Sequence, residues 1–281
     1  MFGRLKTERP EPPETNITEL ENVPEAGVGY HIDAWWWLVA LVVGVIAILA
    51  MIKPDPYWRI VLFVRDGIGV TILITVVSFI LMLFVGMLGG LGRVSTNKII
   101  HLITTLYVEL VRGIPLLVQL IWWYFAFPVI IKQIGTWIHF SPFANYQANA
   151  ILLAIFGFVF CYGAYMSEIF RAGIQSIPKG QMEAARSLGM SYFQAMRHVV
   201  LPQAIRVILP PVGNEFIALL KDSSLVSAVA LADLTRRGRE FMAANFNPLQ
   251  VWTMVALLYL VMTLFSARIV NYIERRTKFE R

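Results

Sequence analysis

The chain has 281 residues, 57% of them hydrophobic and 15% charged, with a mean hydropathy of +0.64, well above what soluble domains carry. That balance excludes a soluble domain and makes the chain an integral membrane protein. The net charge of +6 does not indicate nucleic acid as a partner, because the basic residues sit beside apolar stretches, as topology signals do.

Residues 1–33 hold three basic and seven acidic residues and four prolines. Without apolar periodicity they are expected to remain mobile or to lie at the membrane surface. The first apolar stretch opens with Trp35, Trp36 and Trp37, an indole triplet suited to the headgroup boundary. Its length and its acidic leader argue against a cleavable signal. Residues 34–52, 67–92, 113–131, 140–167 and 241–267 contain no Asp, Glu, Lys or Arg, and each is close to or above the ~20 residues that cross a bilayer as a helix. A sixth span is expected at about 203–220, although Arg206, Glu215 and the Leu209–Pro211 run interrupt it; proline is tolerated in membrane helices whose neighbours re-satisfy the freed carbonyls. The expected fold is therefore an all-α integral membrane protein with about six transmembrane helices.

The run GMLGGLG, Gly86 to Gly92, reads as close helix packing, since it lacks the Gly-Lys-Ser/Thr of a phosphate loop. Residues 223–234 are too short to span and read as a re-entrant segment. Cys161 reads as a small buried hydrophobe. The histidines at 31, 101, 139 and 198 have no metal-ligand spacing, and no hydrolytic triad is visible. No cofactor is expected on this chain, and no bond-making chemistry.

Six spans place both termini on one side. If that side is the cytoplasm, the inner segments carry fifteen basic residues and the outer ones eight, so the positive-inside rule favours cytoplasmic termini. Arg236, Arg237 and Arg239 fall on the outer side in this scheme and stand against it.

The longest water-compatible segment is residues 176–202, from SIPKGQMEAARSLGMSYFQ to the Leu201-Pro202 pair. Ser176 and Pro178 suit a helix start, Gly189 stands where a left-handed cap would fall, and Ser191 with Gln194 makes a capping box for a second helix ending near Pro202. Met182, Ala185 and Leu188 are expected on one face of the first helix. Two helices this short are marginal alone. Either the loop folds against its own membrane domain or it docks on a partner.

The spacing Glu183-Ala184-Ala185, then Gly189, Val199 and Leu201-Pro202 resembles the EAA loop of permease subunits of ATP-binding cassette (ABC) importers that depend on a binding protein. VELVRGIPLLVQL at 108–120, AYMSEIFRAGIQSIPKGQ at 164–181 and LPQAIRVILPPVGNEFIALLKDSSLVS at 201–227 are similar to the polar amino-acid branch of that family. The resemblance covers about residues 67–275. It implies a five-helix type I importer core, with residues 34–66 as an extra N-terminal span and loop, 1–33 as a leader and 276–281 as a basic tail. It further implies a second permease subunit, identical or related, and two ATPase subunits that bind ATP and Mg. A solute-binding protein and a location in the inner, cytoplasmic membrane also follow. Glu183, Ala184, Ala185 and Gly189 would form the contact with the ATPase.

Ionisable groups inside spans default to functional readings. Glu109 with Arg112, and Glu168 with Arg171, are spaced to pair on one helix face, and that pairing is favoured for the first two. A zwitterionic amino acid needs an anionic site for its ammonium and a cationic one for its carboxylate; Glu168, Asn214, Glu215, Lys221 and Asp222 supply such groups, although Lys221 and Asp222 can equally pair with each other. The alternative function is a secondary transporter or channel in which these carboxylates carry ions.

Overall fold

The structure is a computed structural model that describes residues 34–229 and 231–277; the leader and the last four residues of the tail lie outside it. Every regular element among the described residues is helical. Helix α1 covers Ala34–Ile52, α2 Pro54–Arg93 and α3 Lys98–Arg112; α4, Leu116–Ile121, runs through a π turn at Trp122–Ala126 into α5, Phe127–Trp137. The short α6 is Ser141–Ala144 and α7 is Ala150–Gln175. The polar loop holds α8, Lys179–Ser187, and α9, Tyr192–Ala195, which passes through a π turn at Met196–Val200 into α10, Leu201–Asp222. A 3-10 turn at Ser223–Val229, α11 at Leu234–Asn245 and α12 at Pro248–Thr277 complete the chain.

Among the described residues, five helical segments are long and apolar enough to cross a membrane: α1, α2, α4–α5, α7 and α12. Helix α10 is 22 residues long but carries Pro210, Pro211 and four charged residues, which is why its composition alone does not mark it. Its length gives about 33 Å of rise, enough for a hydrocarbon core of ~30 Å. At 40 residues, α2 rises about 60 Å and overshoots the bilayer.

The bundle is built around α7. Of its most apolar stretch 61% is buried, against 6% for α1, so α7 is the central helix and α1 a peripheral one facing lipid. The GMLGGLG run is what lets α2 lie on α7. A Cβ at Gly86 would stand 2.2 Å from Cβ of Met166, and one at Gly90 2.6 Å from Cβ of Phe170, so the two backbones touch. Gly92 meets α3 in the same way, 2.4 Å from Thr104 Cγ2. Ile74, Met82, Leu120, Phe158, Met166 and Leu219 fill the core between α2, α4, α7 and α10. A second core of Ile60, Val64, Leu234, Phe241 and Met254 ties the start of α2 to α11 and α12. Helix α1 rests on that second core through Ile46, and Arg268 of α12 lies over the Trp35 ring at 5.1 Å.

Several boundaries differ from the sequence expectation. The third span begins at Leu116 and not at residue 113, because Pro115 separates α3 from α4 and proline disfavours helix at the preceding residue. The fourth span starts at Ala150, where the Asn149 side chain accepts from Leu152 N at 3.1 Å, and not at residue 140. The last span starts at Pro248, because residues 234–245 form α11. Residues 223–229 form a 3-10 turn with Ser223, Val226, Ser227 and Val229 buried, and Leu234 begins α11, so the segment expected to be re-entrant is a buried turn followed by a helix start.

The three troublesome arginines lie on α11 against the start of α2. Arg237 pairs with Asp66 and with Glu240, and Arg236 pairs with Glu240. The Arg237–Asp66 pair ties α11 to the first turns of α2.

Candidate functional site

The loop between α7 and α10 is organised by two local devices. At the end of α8, Met190 N donates to Ala185 O at 3.2 Å and Gly189 N to Arg186 O at 3.0 Å. This pair of bonds is a Schellman cap, and it requires the left-handed conformation that Gly189 adopts at φ +86. At the start of α9, the Ser191 side chain accepts from Gln194 N, and Gln194 Oε1 accepts from Ser191 N at 2.9 Å, a complete capping box.

The second helix does not stop at Pro202. Helix α9, the π turn and α10 form one continuous rod, because the widened turn before Pro202 removes the clash that a proline makes with the carbonyl four residues back. Leu201 N closes the π turn onto Met196 O. The loop is therefore one short helix plus the projecting stem of a membrane helix. That stem is a firmer support than two isolated short helices would be.

The loop residues do not all face the same way. Ala185 is 4% exposed and packs inward with Ala195 and Val200, which are also buried. Glu183, Ala184 and Gly189 are exposed. Leu188 does not share the inward face with Met182 and Ala185: it stands 82% exposed, with Phe193 at 75% and Tyr192 at 58%. The cap explains this, since Leu188 is the residue at which the chain leaves the helix. Tyr192 and Phe193 border a cavity that Met87 and Leu91 of α2 and Phe170 and Ile174 of α7 also line, and with Leu188 they make an exposed apolar patch of the kind that marks interaction surfaces.

The intramembrane charges sort into two groups. Glu168 accepts from Arg171, as its spacing predicts, and also from Arg93 of α2. Glu109 does not pair with Arg112. It faces Arg93 at 3.5 Å, while Arg112 lies over the Tyr165 ring at 5.1 Å. Val108 and Val111 pack the last turns of α3 on Cys161 and Ala164 of α7, which places Arg112 at the Tyr165 ring.

The second group gathers on α10. Glu215 and Asp222 are spaced by seven residues, two helical turns, so they share a face. Both act electrostatically on Cys161 and Tyr165 of α7, and Arg112 is within electrostatic reach of Glu215. Asp222 does not pair with Lys221. It accepts from the Tyr162 hydroxyl at 2.7 Å, because Lys221 points to an exposed side of the helix. Asn214 is exposed one position before Glu215.

Sequence reasoning missed two residues here and misplaced a third. Tyr162 reaches the Glu215–Asp222 face, and Arg112 leaves its expected partner Glu109, only through tertiary packing. Gln119 is 6% exposed and donates its amide to Val111 O and Ile114 O, both at 2.8 Å. It satisfies carbonyls freed by the break between α3 and α4, which lipid cannot do. A lone glutamine four residues past a Pro in an apolar run was the available signal.

At the far end of α2, Asp233 is fully buried and caps α11 by accepting from Thr235 N and Arg236 N, both at 3.0 Å. Burial pushes its carboxyl up, and these bonds work against that rise.

A helical membrane domain with a capped, exposed loop between two of its spans is the architecture of a transporter's membrane subunit. Residues 82–279 match the family model for the binding-protein-dependent transport system inner membrane component, and the chain belongs to that family. It is 35% identical over 221 residues to the glutamine transport system permease protein GlnP of Escherichia coli (strain K12), covering 79% of this chain and 95% of the relative. It is 34% identical over 238 residues to the arginine transport system permease protein ArgU of Corynebacterium glutamicum, covering 81% and 75%. Among solved structures, a chain of an amino acid ABC transporter matches with a TM-score of 0.68 and 36% identity, covering 81% of this chain and 97% of that one. A chain of the MetNI methionine ABC transporter shares the fold at a TM-score of 0.58 and 21% identity. The chain is a multi-pass permease subunit of an ABC importer, and chemistry on ATP falls to partner subunits.

Proposed function

We propose that this permease carries polar amino acids into the cell, taking them from a solute-binding protein outside and drawing its motion from two ATPase subunits inside. ATP and Mg bind on those ATPases, and a second permease, identical or related, completes the membrane pore. The named substrates of the relatives support an amino-acid cargo. In this reading both termini lie in the cytoplasm, as does the loop.

The single observation that carries the proposal is the loop itself. Glu183, Ala184 and Gly189, with Leu188, Tyr192 and Phe193 around them, form the surface that enters the ATPase, while Ala185 anchors it from behind. The rod from α9 into α10 passes displacement into the membrane as a rigid body. Along α10, Asn214, Glu215, Lys221 and Asp222 are the residues for the amino acid's path, with Glu215 and Asp222 on one face for its ammonium and Lys221 on the adjoining exposed side for its carboxylate. Glu168 stands at the end of the path nearest the loop. Intramembrane carboxylates also suit a secondary transporter or channel, but such a protein has no use for a capped cytoplasmic docking loop.

Purification of the tagged chain from its own membranes, with subunit masses, tests this directly. Two ATPase copies and two permease chains per complex are expected. A chain that purifies without an ATPase, and whose uptake stops when ion gradients collapse, would refute the proposal.

A further inference from the structure

The last residue of α2 carries a charge junction outside the loop surface and the Glu215–Asp222 face, and Glu168, the path residue nearest the loop, is its central carboxylate. Arg93 ends α2, where free carbonyls favour a cation, and its side chain is only 12% exposed. Its Nη1 donates to Glu168 Oε2 of α7 at 2.5 Å, and its Nη2 reaches Glu109 Oε1 of α3 at 3.5 Å. Arg171 engages Glu168 from the other side and extends to Gln175 Oε1 in the last turn of α7. That turn leads straight through Pro178 into α8.

Helix α2 already lies on the α7 backbone at Gly90 and against the Thr104 side chain of α3 at Gly92. One guanidinium thus joins the end of α2 to α7 through Glu168 and reaches an exposed carboxylate of α3, two turns before α7 gives way to the loop. Partly buried ion pairs add little net stability compared with apolar packing. Their distinctive effect is to fix one geometry, since a shifted arrangement leaves a charge unpaired.

We infer that Arg93 is a positioning residue of the transport cycle: through Glu168 it makes α2, α3 and α7 move as one body when the loop is displaced. This rests on the reading of the loop as the element the ATPase moves.

The test uses the whole complex in proteoliposomes with ATP inside, comparing wild type, Arg93→Gln, Glu168→Gln and the double variant. The readout is amino acid taken up per ATP hydrolysed. For Arg93→Gln we expect ATPase subunits to stay bound and ATP hydrolysis to continue, while uptake per ATP falls about fivefold or more, the scale of a typical coupling between sites. The double variant should be no worse than the worse single one, because both changes remove the same link. If Arg93→Gln alone fails to assemble, the double variant, which leaves neither Arg93 nor Glu168 unpaired against the other, carries the same test. An unchanged ratio, uptake and hydrolysis falling in proportion, or multiplying effects would overturn the inference. Wild-type uptake that needs no ATP would overturn the functional reading and this inference with it.

Discussion

Replacing Gly189 by Glu isolates the loop from the rest of the molecule. Gly189 sits at φ +86, and a Cβ built there has nothing within 4 Å, so the substitution meets no steric clash. Its cost is conformational. A left-handed backbone costs a residue other than glycine about 1–2 kcal/mol, and the alternative is to give up the two cap bonds at roughly 0.5–1.5 kcal/mol each. Helix α8 has nine residues and is marginal by length, so a penalty of this size shifts its folded population about five- to thirtyfold. The core around α7 shares no contact with Gly189 and should be untouched. Co-purification of the ATPase in detergent and uptake in membrane vesicles should both fall, with normal yield of folded permease. Gly189→Asn, which tolerates the left-handed region, should keep most of both activities. Normal ATPase binding and normal uptake by Gly189→Glu would refute the argument.

Other outcomes follow from the same geometry. Leu188→Asp with Phe193→Asp should weaken ATPase association without lowering the melting temperature of the permease, measured by fluorescence-detected gel filtration after heating. Gly86→Val drives a methyl into Met166 and should destabilise the α2–α7 seam by about 1–3 kcal/mol, the usual range for overpacking, read as a loss of thermal stability. Asp222→Asn and Glu215→Gln should each lower uptake of amino acids while leaving ATPase association intact, whereas Lys221→Met should change uptake without affecting the Tyr162–Asp222 bond. A chain lacking residues 1–52 should still assemble with the ATPase, because α1 packs only on the periphery; failure to assemble would give α1 a structural role.

The spans and the loop were legible because each leaves a local signature. Charge-free runs of membrane length mark most of the spans, and a helix cap is written in two or three neighbouring residues, as Gly189 and the Ser191–Gln194 box show. The glycine run likewise announced close packing. Partners of intramembrane charges were less legible, since they are decided between helices. Glu109 and Arg112 have ideal spacing for each other, yet Arg93 and the Tyr165 ring win them because α3 packs on α2 and α7. Asp222 prefers Tyr162, sixty residues away, over its own neighbour Lys221. The stop expected at Pro202 was wrong for a related reason: a π turn absorbs a proline at the cost of one wide turn, and no single residue type encodes such a turn.

The central claim, import driven by ATP, is tested most directly by amino-acid uptake into proteoliposomes containing the purified complex and its binding protein. Uptake should require ATP inside the cytoplasm-facing compartment and should persist when ionophores collapse every ion gradient. Uptake that proceeds without ATP and stops with the ionophores would contradict the account.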